Sequence, residues 1–135
     1  MIGKLSKLFV GVAAMVSLAA CQTTTEMLAE DGAAKLTGWE IHSTLDDTTR
    51  AWASGNGMSY YAPDGTYLWK MNSGEGGDGT WMVNEDDQMC FTVAAWNSGN
   101  PECYTMYKKS DGTIVSVDDG GKLYPLGAFQ KGNKL

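Results

Sequence analysis

Residues 79–107, GTWMVNEDDQMCFTVAAWNSGNPECYTMY, decide the fold. The stretch divides into three runs of β-branched, aromatic and alternating side chains, separated by Glu85-Asp86-Asp87 and by Asn97-Ser98-Gly99-Asn100-Pro101. Those separators are made of residues that favour turns. Three strands joined in this way are antiparallel neighbours, and Cys90 and Cys103 then stand where adjacent strands can carry them face to face. The expectation is a small β domain with one internal disulfide.

Working outward, the same period continues on both sides. Candidate strands are 49–53, 57–62, 66–71, 79–84, 89–95, 102–108, 113–117 and 122–126, each short and bounded by turn residues. Asp-Gly-Thr occurs at Asp64-Gly65-Thr66, Asp78-Gly79-Thr80 and Asp111-Gly112-Thr113, and Asp-Gly suits a tight hairpin. Two of these, or all three, are expected to open a strand directly from a turn. The connections are short throughout, so the fold class expected is mainly β: an antiparallel meander of about eight strands forming a small barrel or strongly curled sheet, which hides its edges.

One helix is expected before the strands. In Leu36-Thr37-Gly38-Trp39-Glu40-Ile41, Thr37 and Glu40 have capping-box spacing, and Leu36 and Ile41 are placed for a hydrophobic staple. The helix should run over 38–45 and lay Ile41 and Leu45 on the β domain. His42, the only histidine, falls off that stripe and has no nearby motif to make it catalytic.

The amino terminus supplies an address. Lys4 and Lys7 precede an apolar run over 8–20, too short for a settled membrane span, which ends Leu18-Ala19-Ala20-Cys21. That ending resembles the lipobox of bacterial lipoproteins, which implies a signal peptide over 1–20, acylation of Cys21 and a membrane hold without a spanning helix. The alternative is an ordinary secretory signal with a spare thiol at Cys21. Gln22 follows where an aspartate would favour the inner membrane, so the outer membrane, facing the periplasm, is expected. Residues 21–35 then read as a tether, with Thr23-Thr24-Thr25-Glu26 able to cap a short helix, and 36–135 as a single β domain.

Loss of 1–20 would leave eight basic against sixteen acidic residues. Such a balance disfavours nucleic acid as a partner and electrostatic binding to anionic lipid. With Cys21 acylated, Cys90 and Cys103 are an even pair in an oxidising compartment, where a disulfide is the default.

Strand alternation groups Tyr67, Trp69 and Met71 on one face, Trp81 and Val83 on another, and Met89, Phe91 and Val93 opposite Cys90. Five tryptophans and six tyrosines either fill a core or line a cavity for an apolar ligand. Met58, Met71, Met82, Met89 and Met106 are scattered, as gap-filling residues would be, without the clustering of a copper(I) site. The acids Asp46-Asp47, Glu75/Asp78, Glu85-Asp86-Asp87 and Asp118-Asp119 sit at predicted turns, where solvated charge is the plain account, and none has the register of a calcium loop. No catalytic, cofactor-binding or metal-ligating residue emerges, and no enzymatic motif is present.

The order Leu36-Thr37-Gly38, Glu40-Ile41, Tyr61-Ala62-Pro63-Asp64-Gly65-Thr66, Gly79-Thr80-Trp81, Val83, Cys90 and Glu102-Cys103-Tyr104 resembles a family of small exported proteins of unknown function found mainly in alphaproteobacteria. The resemblance runs over 36–129. It implies a β-rich domain and an export route, and it brings no catalytic residues. The expected function is therefore a non-enzymatic envelope lipoprotein whose β domain binds a protein or a small apolar molecule. The alternatives are a hydrolase inhibitor, by analogy of fold alone, and a structural spacer.

Overall fold

The computed structural model describes residues 23–135. The elements in order are α1 (Thr24–Glu30), β1 (Ala34–Lys35), α2 (Gly38–Leu45), β2 (Thr48–Ala51), β3 (Gly57–Tyr61), β4 (Thr66–Met71), β5 (Gly76–Val83), β6 (Gln88–Thr92), β7 (Glu102–Lys108), β8 (Ile114–Val117), β9 (Leu123–Pro125) and β10 (Phe129–Lys131). They form one ten-stranded antiparallel sheet ordered β10-β2-β3-β4-β5-β6-β7-β8-β9, with β1 added beside β7. The expected eight-strand meander is present. Two strands were not foreseen, β1 and β10, because two or three residues carry no readable alternation.

The sheet is a strongly curled half-barrel. β9 and β10 lie at opposite edges of the strand order, yet only residues 126–128 join them. A link of that length spans about 14 Å at most, so the two edges must come near each other. It is bound at both ends: Leu126 N–H donates to Ile114 O at 3.3 Å, and Ala51 N–H to Ala128 O at 3.2 Å.

Helix α2 forms where the capping residues place it. Thr37 Oγ1 accepts from Glu40 N, and Glu40 Oε1 accepts from Thr37 N. Its two apolar residues, Ile41 and Leu45, are fully buried in one cluster with Tyr61, Trp81, Met89 and Met106. Each such burial contributes about 1.5–3 kcal/mol. The loop between β5 and β6 holds the start of this helix, since Asp87 Oδ1 accepts from Gly38 N at 3.0 Å. Solvation alone therefore does not describe that acidic turn.

Residues 23–35, expected as a tether, are folded against the domain. Leu28 of α1 is buried with Val115 and Val117 on the outer face of β8, Thr24 Oγ1 donates to Gly121 O at 2.6 Å, and β1 pairs with Tyr107 and Lys108 of β7. One apolar side chain on a short capped helix suffices to dock it, because Leu28 covers Val115 and Val117.

Two of the Asp-Gly-Thr repeats open strands from turns and the third does not. Gly65 and Gly112 take φ of +94° and +90° before β4 and β8, while Asp64 and Asp111 accept from the N–H of Thr66 and Thr113. Asp78-Gly79-Thr80 lies inside β5, paired with Leu68, Tyr67 and Thr66 of β4. Gly79 is there for closeness: a Cβ on it would lie 2.2 Å from Thr92 O.

Candidate functional site

Alternation along β4, β5 and β6 decides what faces the concave side. Tyr67 and Trp69 on β4 pair across to Gly79 and Gly77 on β5, so β5 contributes no side chain at those two levels. The rings on either side use that space. Tyr67 stacks on Phe91 of β6 with centroids 5.0 Å apart and planes 11° apart, and Phe91 stacks on Tyr104 of β7 at 5.9 Å and 9°. The Trp69 indole lies over Gly77, where a Cβ would fall 3.0 Å from its Nε1. Trp96, from the connection after β6, folds back to 4.7 Å from Trp69.

The interior is filled at one end and hollow at the other. Around α2 the side chains close up, with Tyr61 edge-on to both Tyr67 and Trp81 at 5.4 Å. Away from α2 an open-mouthed cavity of about 320 Å³ remains, lined chiefly by Trp52, Tyr67, Phe91, Trp96, Tyr104 and Tyr124. That size is at the small end of the range for ligand pockets, and a mostly apolar lining with a few polar groups is their usual character.

Among the described residues, one charged side chain borders this cavity, Arg50 of β2. It is the only arginine in the chain, beside nine lysines, and it is 8% exposed. Its Nε and Nη2 donate to Tyr61 Oη at 3.2 and 3.0 Å, and Nη1 donates to Ala51 O at 3.3 Å. Among the described residues no carboxylate pairs with it. Burial works against the charge, but the surrounding phenols, Tyr61 foremost, more than offset it and hold the guanidinium pKa above its ordinary value. The cation is permanent.

The other polar groups inside are neutral, and among the described residues only the buried Trp69 Nε1 lacks a hydrogen-bond partner. Trp52 Nε1 donates to Ser59 Oγ at 2.7 Å, and Ser59 Oγ shares a hydrogen bond with Tyr67 Oη. Burial pushes the Tyr67 phenol far up and the Tyr104 phenol up to about 12, so both keep their protons. Glu102, on the same face of β7 as Tyr104 and opposite Phe91, also has its carboxyl pKa raised by burial.

The residues singled out from sequence fall as follows. Cys90 and Cys103 are directly opposite in the β6–β7 register, with Cα atoms 4.1 Å apart, and form the disulfide on the side of the sheet away from the cavity. Cys21 and the signal peptide over 1–20 lie outside the described residues. His42 is exposed, with Nδ1 3.0 Å from Asp46 Oδ1 and its ring 5.2 Å from that of Trp81. Met89 and Met106 are core residues, whereas Met82 is 56% exposed on the outer face of β5 and fills no gap. The choice between packed core and lined cavity resolves into both, at opposite ends.

Arg50 and Trp52 escaped the sequence reading. Thr48-Thr49-Arg50 has no apolar alternation, so it shows no inward face. The available signal was compositional: one arginine where every other basic position is lysine.

No curated protein and no solved structure matches the chain. Residues 12–124 match the family described as protein of unknown function (DUF995), and to that family the chain belongs.

Proposed function

We propose that this protein is a non-enzymatic binding lipoprotein of the cell envelope, held by an acylated Cys21 on the periplasmic side of the outer membrane, whose half-barrel takes up a small, largely apolar molecule. The observation that carries the reading is the aromatic cavity of about 320 Å³ with an open mouth at the end of the interior away from α2. A domain built only as a spacer gains nothing from a hollow, since filling it would add dispersion contacts and burial. A protein partner, an inhibited hydrolase included, would call for a contiguous apolar patch on the surface. Of the four large side chains exposed among the described residues, only Met27 and Leu123 share a groove, and Asp31 and Lys109 border it, which leaves the aromatic cavity the more apolar of the two and favours the small-molecule reading.

Titration of the full chain in phosphatidylcholine vesicles with 1-naphthalenemethanol, an uncharged aromatic probe, tests this. Saturable quenching of tryptophan fluorescence is expected, because Trp52 and Trp96 line the cavity. Ser116→Phe, which puts a ring into the same space, should abolish it. Absence of saturable binding in the wild type, or unchanged binding in Ser116→Phe, would remove the cavity from the function.

A further inference from the structure

We infer that the cavity selects a singly charged organic anion: an aromatic or aliphatic body with one carboxylate, which docks on Arg50. This rests on the small-molecule reading above and adds the ligand's charge and size. A guanidinium buried without a counter-ion is expensive to keep, and a phenol oxygen such as Tyr61 Oη needs only a neutral donor. Tyr61 and Ala51 hold this permanent cation in place, ready for an anion that arrives in the cavity.

The donor count supports it. A guanidinium has five N–H groups, and the bonds to Tyr61 and Ala51 use three of them. Among the described residues the remaining two have no acceptor, and a carboxylate accepts two N–H groups from a guanidinium in a matched fork. Around that fork the walls are apolar, so the attraction is screened far less than at the surface.

The same surroundings limit the ligand to one charge. Among the described residues no other charged side chain lines the cavity, and the protein as a whole carries a net charge of −6. A polyanion would meet one cation and a repelling field. At roughly 30 Å³ for each water-sized volume, about 320 Å³ admits a body on the order of ten non-hydrogen atoms, which the stacked rings of Phe91 and Tyr104 can flank.

The experiment compares 1-naphthoate with 1-naphthalenemethanol on the full chain in phosphatidylcholine vesicles, subtracting protein-free vesicles. The naphthoate is expected to bind at least about tenfold more tightly, as a charged hydrogen bond in a dry site allows. Arg50→Gln should erase the preference, and Arg50→Lys should keep part of it. Equal affinity of the two probes for the wild type would overturn the anion and leave the binding function standing. Binding of neither would overturn both. A preference that survives in Arg50→Gln would remove Arg50 from the account. Should Arg50→Gln fail to fold, the wild-type comparison and Arg50→Lys carry the same decision.

Discussion

Tyr67 and Phe91 stack at 5.0 Å although a whole strand, β5, lies between theirs. Gly79 makes this contact available, because β5 has no side chain opposite Tyr67 and its backbone sits close against Thr92. The aromatic wall of the cavity thus depends on a residue with no side chain.

Gly79→Ala is therefore expected to be costly. Its Cβ would meet the Thr92 carbonyl oxygen, which is backbone and cannot rotate away. Overpacking of this kind costs about 1–3 kcal/mol. Urea unfolding should show a lowered midpoint, and probe binding should weaken as Tyr67 and Phe91 are pushed apart. An unchanged midpoint would contradict the contact.

Removal of the disulfide should cost about 3 kcal/mol for a loop of this length, chiefly through the freedom restored to the unfolded chain. Cys90→Ser/Cys103→Ser is expected to lower the urea midpoint and still bind 1-naphthalenemethanol, because the bridge lies on the face away from the cavity. Intact mass before and after reduction should differ by two hydrogens in the wild type alone.

Acid should destabilise the domain progressively below about pH 5. The carboxyl pKa is lowered in Asp64 by the Thr66 backbone N–H, in Asp111 by the Thr113 hydroxyl and N–H, and in Glu40 by the Thr37 backbone and hydroxyl. A lowered folded-state pKa contributes stability above the unfolded value, and this is lost as pH falls towards the folded one. Thermal midpoints should be flat from pH 7 to 5 and fall below that, less steeply in Asp64→Asn/Asp111→Asn. An equally steep fall in the double variant would assign the effect elsewhere.

Alkali acts in the opposite sense. Tyr104 is raised to about 12 by burial, and Tyr67 is raised further still by the same cause. Their contribution is complete below the ordinary phenol value of about 10 and lost as pH climbs from there. Phenolate absorbance should show a tyrosine class that appears only as the protein unfolds. Titration of all six tyrosines together near pH 10 would contradict the buried wall.

Cells fed a fatty-acid analogue should label the wild-type chain and leave Cys21→Ser unlabelled, with the variant released from the membrane fraction. Equal labelling of both would end the lipoprotein proposal.

Local rules carried most of the fold. Thr37 and Glu40 specify the start of α2 within a few residues of each other, and a strand such as Thr66–Met71 shows its period without help from the rest of the chain. The opposed cysteines were legible because strand register follows from short turns. Which of the three Asp-Gly-Thr repeats would not open a strand was left open, because Asp-Gly serves a turn and a close strand approach equally well, and only the neighbour at Thr92 tells them apart.

The amino-acid order alone determined a β meander, its capping helix and its disulfide partners, since each depends on contacts between residues near in sequence or on simple alternation. Folding in three dimensions decided the rest. How far a sheet curls, which end of its interior fills, and that the lone arginine of Thr48–Ala51 comes to border a cavity walled by Phe91 and Tyr104 depend on strands far apart in the chain meeting across a hollow. No local preference encodes that meeting, because it is the summed twist and packing of the whole sheet that sets the distance across it.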